Sequence, residues 1–134
     1  MIVDTSALVA MIQREDGADV IEECMLAHPS RMSAATLVET RVVVNGRTGA
    51  AGLLRLAALL RRLGTEVVPF DEAQADVAGE AYRDYGRGSG HPARLNLGDT
   101  YSYALAYVND EPLLYVGDDF ARTDIRSALE EYAP

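Results

Sequence analysis

Apolar and polar positions recur along this chain with two different periods, and the switches between them lay out the elements. Met1, Ile2 and Val3 form a short apolar run closed by Asp4, which reads as a strand over 1–4. Over 5–13 the apolar residues take helical spacing, with Thr5 and Ser6 as candidate caps, and Asp16-Gly17 breaks the run. A second amphipathic helix over 18–27 stops at His28-Pro29-Ser30. A strand over 31–34 follows, then a helix over 35–46 stopped at Asn45-Gly46, then a strong helix over 50–64 with Gly64 at its end. The strand 66–70 leads into a helix over 71–86, opened by Asp71 as N-cap, whose apolar stripe is Ala73, Val77 and Ala81. The remainder reads as a Gly-rich loop (87–96), a helix (98–110), a strand (112–116), a loop with one helical turn (117–125) and a short helix (126–133).

Strands that alternate with helices predict a parallel sheet covered on both faces, an α/β/α sandwich with four to five strands and a single domain over 1–134. Such sheets bind ligands beyond the carboxyl ends of their strands, at the point where strand order reverses. Asp4 ends the first strand, and Asp118 and Asp119 follow the 112–116 strand. Two strand ends thus bring acids to one sheet edge.

Composition narrows the chemistry. With 49% hydrophobic residues the chain has enough for one core. No apolar run approaches the roughly 20 residues of a membrane span. The apolar start holds an acid and has no basic stretch before it, so a cytoplasmic protein without a signal peptide is expected. The lone Cys24 excludes an internal disulfide and reads as a small core residue. A net charge of −9 argues against non-specific nucleic-acid binding, and it also fits an acidic cluster built to hold divalent cations. All 12 basic residues are arginines. Without lysine, P-loop ATPases, Schiff-base enzymes and receiver-type phosphoswitches are excluded, and phosphate recognition falls to arginine.

Several acids stand in unusual surroundings. Glu39, in "LVETRVVV", lies on a mainly apolar helical face; locally it is either a rim residue paired with an arginine or an inward acid kept for a metal or a proton. Asp99 follows Gly98 at the start of a helix, where an acid favours the helix dipole. Its face continues through Ser102, Tyr103 and Ala106, which points it inward, with Gly98 admitting another backbone close by. In "GDDF" the acids suit a turn, Phe120 anchors the loop, and Asp119 beside that anchor is the better-fixed acid. Asp124 is expected to cap the last segment or to orient Thr123. Oxygen donors without a matching His/Cys set suit Mg²⁺ or Mn²⁺, and a metal so held activates water for attack on a phosphodiester.

Asp4 in "IVDTSAL", Glu39 in "SAATLVET", Asp99 in "LNLGDTYSYALA" and the segment "PLLYVGDDFARTDI" together resemble the PIN domain, and within it the VapC toxins of type II toxin–antitoxin pairs. The resemblance runs over nearly the whole chain. It implies an Mg²⁺-dependent endoribonuclease that cuts structured RNA, tRNA or rRNA, a homodimer, and inhibition by a VapB antitoxin. Asp4 and Asp99 match the principal metal ligands. Glu39 matches the acid that binds metal or positions the attacking water. Many relatives carry the fourth acid two residues before the one adjoining Phe120, where this chain has Gly117, so the role goes to Asp119 with Asp118 as substitute. Thr5 and Ser6 match polar residues that bond metal-bound water or the scissile phosphate.

Arg83, Arg87, His91 and Arg94 gather around Gly86, Gly88 and Gly90 just before Asp99. The three arginines are expected to hold RNA phosphates near the metal, and His91 to be structural. Apolar residues on more than one face of the 50–64 helix leave a surplus for a dimer or antitoxin surface. Two other readings stay open: a PIN-type nuclease of other RNA or DNA processing, and a non-catalytic binding protein whose acids are caps. A haloacid-dehalogenase-like phosphatase is disfavoured by Ser6, where that chemistry needs a second acid, and by the absence of lysine.

Overall fold

The computed structural model describes residues 1–133. Its elements run β1 (Ile2–Val3), α1 (Thr5–Ile12), α2 (Ala18–Ala27), β2 (Arg31–Ser33), α3 (Ala34–Leu63), β3 (Glu66–Val68), α4 (Glu72–Tyr85), α5 (Leu97–Asn109), β4 (Leu113–Leu114), a 3₁₀ turn (Phe120–Arg122) and α6 (Ala128–Glu131). The strands are shorter than expected: β3 stops at Val68, before Pro69, which has no N–H to donate, and β4 pairs only through Leu113 and Leu114. They form one parallel sheet in the order β3-β2-β1-β4.

Side chains alternate across a strand, so β1 feeds two cores. Val3 joins Leu8, Met25, Met32, Val44, Leu56 and Leu114 under α1, α2 and α3. Ile2 joins Ala81, Leu95, Tyr103, Leu105, Leu113 and Phe120 under α4 and α5. Cys24 is half-buried against the first of these clusters. The chain winds outward from β1 through β2 to β3, then returns to β4 on the other flank of β1. Strand order therefore reverses at β1, and Asp4 stands at its carboxyl end.

Two expectations need correction. The helices placed over 35–46 and 50–64 are one run, and the break falls at Gly49 (φ 68°, ψ −160°), not at Asn45-Gly46. The helix survives Gly46 because Val44 is buried and Thr48 donates to the Val44 carbonyl (2.7 Å). The left-handed φ then falls on a residue without a Cβ. In α4 the buried face is Gln74, Ala78 and Ala81 with Val77 half-buried beside it, so Val77 and Ala81 of the expected stripe face the core while Ala73 is exposed. Gln74 turns inward because its Nε2 donates to the Pro69 carbonyl (3.0 Å), tying the helix start to the segment after β3.

Candidate active site

Asp4 is the N-cap of α1 and is only 3% exposed. Its Oδ2 accepts from the backbone N of Ser6 (3.0 Å) and from Ser6 Oγ (2.7 Å), and its Oδ1 accepts from Ser102 Oγ on α5 (2.6 Å). Three donors make a buried carboxylate tolerable and fix its plane. Ser6 Oγ in turn accepts from the backbone N of Val116, so the loop after β4 is tied to the same point (3.0 Å).

Asp99 is the third residue of α5. Asn96 is the N-cap, and the two residues form a capping box: Asp99 N donates to Asn96 Oδ1 (2.8 Å), and Asn96 N donates to Asp99 Oδ2 (2.9 Å). Burial pushes the Asp99 carboxyl up to about 7, with the charges of Asp4, Asp119 and Glu39 adding to it against the lowering effect of the Asn96 bond. Glu39 is raised by burial and by Asp4, while Thr5 Oγ1, donating to its Oε1 (2.6 Å), pulls the other way. What approaches Gly98 is this side chain and not another backbone: a Cβ at position 98 would overlap the Glu39 carboxylate.

Beneath the acids lies a layer of hydroxyls, in which Thr36 and Thr40 join Thr5 and Ser102. Thr5 Oγ1 contacts Thr40 Oγ1 (2.9 Å), Thr40 donates to the Thr36 carbonyl (2.8 Å), and Thr36 Oγ1 contacts Ser102 Oγ (3.2 Å). Thr36, Thr40 and Ser102 are fully buried. Thr36 and Thr40 are four residues apart on the helix that carries Glu39, and that spacing was the available signal. Thr5 and Ser6 thus spend their hydroxyls on Glu39 and Asp4 and orient the acids.

Asp4, Thr5, Ser6, Glu39 and Asp99 line one open cavity of about 340 Å³, together with Asn96, Val43, Val116, Glu15 and Arg47. Asp119 is exposed on the loop beside it, close enough for its charge to act on Asp99; Phe120, 3% exposed, anchors that loop. Asp118 is also exposed, and its charge acts on Tyr115 instead. Arg83, Arg87 and Arg94 are exposed and do not line the cavity, and Arg83 pairs with Asp84 (3.0 Å). His91 is structural: its Nδ1 accepts from Ala93 N (3.0 Å) and its ring packs edge-on to Tyr85. Asp124 neither caps the last helix nor orients Thr123. It accepts from Tyr103 Oη (2.7 Å), and Ser127 caps α6.

Apart from Arg47, the polar side chains that line the cavity offer oxygen or amide, with no thiolate or imidazole, which is the donor set of a hard divalent cation. Among the described residues no three His, Cys, Asp or Glu side chains are gathered closely enough to hold a metal ion by themselves, although Asp4, Glu39 and Asp99 line one cavity. The fit rests on that chemistry and on Gly98, whose missing side chain leaves Glu39 its place.

Residues 1–126 match the PIN domain family. The chain belongs to that family. The PIN domain is a nuclease fold, and PIN nucleases depend on metal. Ribonuclease VapC42 of Mycobacterium tuberculosis is 56% identical to this PIN domain, across 96% of this chain and 98% of its own length. Ribonuclease VapC of Mycolicibacterium smegmatis is 44% identical, across 93% and 97%. Two solved structures share the fold with a TM-score of 0.72. Mycobacterium tuberculosis VapC20, a sarcin-ricin loop cleaving toxin, does so at 20% identity over 92% of this chain and 95% of that one. VapBC2 of Rickettsia felis, bound to a promoter DNA fragment, does so at 16% identity over 94% of each.

Proposed function

We propose that this PIN domain, acting as one unit over 1–134, is the ribonuclease toxin of a type II toxin–antitoxin pair, hydrolysing phosphodiester bonds in structured RNA (tRNA or rRNA) with Mg²⁺ or Mn²⁺. The observation that carries this reading is the convergence of Asp4, Glu39 and Asp99, from three separate elements, on one oxygen-lined cavity at the strand-order reversal. The high identity to VapC ribonucleases supports it.

Asp4 and Asp99 would hold the metal, with Glu39 and Asp119 beside them. When bound, the cation supplies an activated water and offsets the charge that builds on the phosphate. The protein's own contribution is positional. Ser6 and Ser102 lock the Asp4 carboxylate, and the capping box locks Asp99. Glu39, raised by burial, is suited to take the proton of the attacking water, and Thr5 aims its carboxylate. Val42 and Leu54 are exposed, and a groove along α3 is lined by Val42, Leu53, Leu56 and Leu60. That apolar surplus supports a partner surface for a VapB-type antitoxin and for a homodimer.

The test is cleavage of total bacterial RNA by purified protein with Mg²⁺ or Mn²⁺, beside Asp4→Asn and Asp99→Asn. Metal-dependent cleavage lost in both variants is the expected result. Cleavage equal in all three proteins refutes the site, and no cleavage by the parent protein refutes the activity.

A further inference from the structure

The acidic cavity poses a problem for a polyanionic substrate, and one side chain on its rim answers it. Arg47 lines the cavity with the acids. Glu39, Val43 and Arg47 follow one another at four-residue steps along a single ridge of α3, and all three face the same space. The guanidinium is anchored by a neutral group, Nη1 donating to Gln13 Oε1 on the turn after α1 (2.8 Å). Arg31, Arg62, Arg83 and Arg126 spend their charge on acids. Among the described residues Arg47 makes no ion pair, although Glu15 lines the same mouth. Arg47 is therefore held in place with its charge uncompensated, beside carboxylates that would otherwise repel phosphate. Gly49 ends the helical geometry two residues later, so Arg47 stands in the last turn before the break.

Distance decides what it reaches. Eight residues of helix separate Arg47 from Glu39 by about 12 Å along the axis. The long side chain, leaning back toward the helix N-terminus, recovers part of that rise and leaves the guanidinium at the cavity rim, where it suits a phosphate next to the scissile one. We infer that Arg47, oriented by Gln13, is the docking residue for a phosphate flanking the scissile one, in place of the loop arginines Arg83, Arg87 and Arg94. This assignment rests on the ribonuclease reading and names its substrate contact.

The test compares Arg47→Ala, Arg47→Lys, Gln13→Ala and, as a control on general charge, Arg55→Ala on the far arm of α3, which lines no part of this cavity. Two readouts are taken: kcat and KM on total bacterial RNA with Mn²⁺, and the salt dependence with which metal-free protein binds a fluorescein-labelled RNA hairpin. Loss of a charge-assisted, two-pronged contact should raise KM about tenfold or more in Arg47→Ala, with the loss falling on KM. One phosphate contact fewer should flatten the slope of log affinity against log salt by about 0.7 to 0.9. Arg47→Lys should keep the slope while raising KM, since lysine has the charge without the fork. Gln13→Ala should raise KM several-fold at unchanged slope, a result that a purely structural arginine would not give. Wild-type KM and slope in Arg47→Ala overturn the assignment while leaving the ribonuclease reading intact, as does an equal loss in Arg55→Ala. A parent protein whose cleavage is no greater than that of Asp4→Asn overturns both.

Discussion

In the metal-free protein, Asp99 should act as a proton switch on stability, and Asp99→Asn should remove it. The carboxyl is pushed from an ordinary 3.8 to about 7, first by burial and then by the charges of Asp4, Asp119 and Glu39. A folded-state value above the unfolded one means that the folded protein holds the proton more tightly. The resulting stabilisation is complete below about pH 4 and is lost as pH rises through about 7. The shift is roughly 3 units, and at about 1.4 kcal/mol per unit its ceiling is near 4 kcal/mol. Asp99 is only partly buried, so solvent screening brings the working figure to about 2 kcal/mol. For a chain of this length that corresponds to roughly 6 °C in Tm. Asparagine cannot ionise but keeps an oxygen to accept from Asn96 N, so the capping box survives and the comparison isolates the charge.

The assay is urea unfolding from pH 5 to pH 8 in excess chelator, followed by far-ultraviolet circular dichroism because the chain has no tryptophan. Part of the effect is already lost by pH 5, so over that range the parent protein should lose about 1 kcal/mol more than Asp99→Asn. A divalent cation competes for the site the proton occupies, so apparent Mn²⁺ affinity should rise about tenfold between pH 6 and pH 8, with protons released on binding. Parallel stability curves for the two proteins, or a metal affinity indifferent to pH, would refute the argument that the cavity holds its acids in mutual repulsion.

Gly98→Ala separates fold from function. Alanine in a helix is worth about 0.5–1 kcal/mol over glycine, so thermal unfolding should hold or improve, while the displaced Glu39 carboxylate should cost about a hundredfold in RNA cleavage. Activity within a few-fold of the parent would show that Glu39 has room to move without consequence. Ser102→Ala leaves the buried Asp4 one donor short and should cost about 2 kcal/mol in urea unfolding near pH 7, partly restored by Mn²⁺. An unchanged midpoint would mean that Asp4 does not depend on that hydroxyl.

Much of this arrangement was legible in the chain. The alternation of strand and helix implies the parallel sheet, and an acid after the first apolar strand implies a group at the sheet's carboxyl edge. Less legible was how each acid is held. The capping motif at Asn96 and Asp99 invites a structural reading of Asp99 or a functional one, as though the two excluded each other. The structure gives Asp99 both roles, one oxygen on the Asn96 backbone while the residue lines the cavity. Asp4 is likewise both the N-cap of α1 and a wall of the site. The hydroxyls of Thr36 and Thr40 are hidden in the sequence because small polar residues inside helices resemble weak helix formers until a fold stacks them under a carboxylate. Arg83, Arg87 and Arg94 draw attention because they precede Asp99 closely in sequence, whereas Arg47 reaches the cavity only through the pitch of α3, which the sequence does not display.

The double use of Asp4 and Asp99 has a mechanical consequence. Each acid sits where the first turn of a helix offers free N–H groups and the positive end of the helix dipole. The backbone of α1 and α5 thereby supplies positive potential to the cavity floor before any cation arrives. That potential offsets part of the repulsion among Asp4, Glu39 and Asp99, all of which line the cavity. Lysine or arginine at the floor would neutralise the acids more fully, but would also compete with a cation for the same oxygens. A net charge of −9 with its nearest arginine at the rim is thus consistent with the work proposed: backbone dipoles make the clustered acids tolerable, and the mobile positive charge is left to the metal.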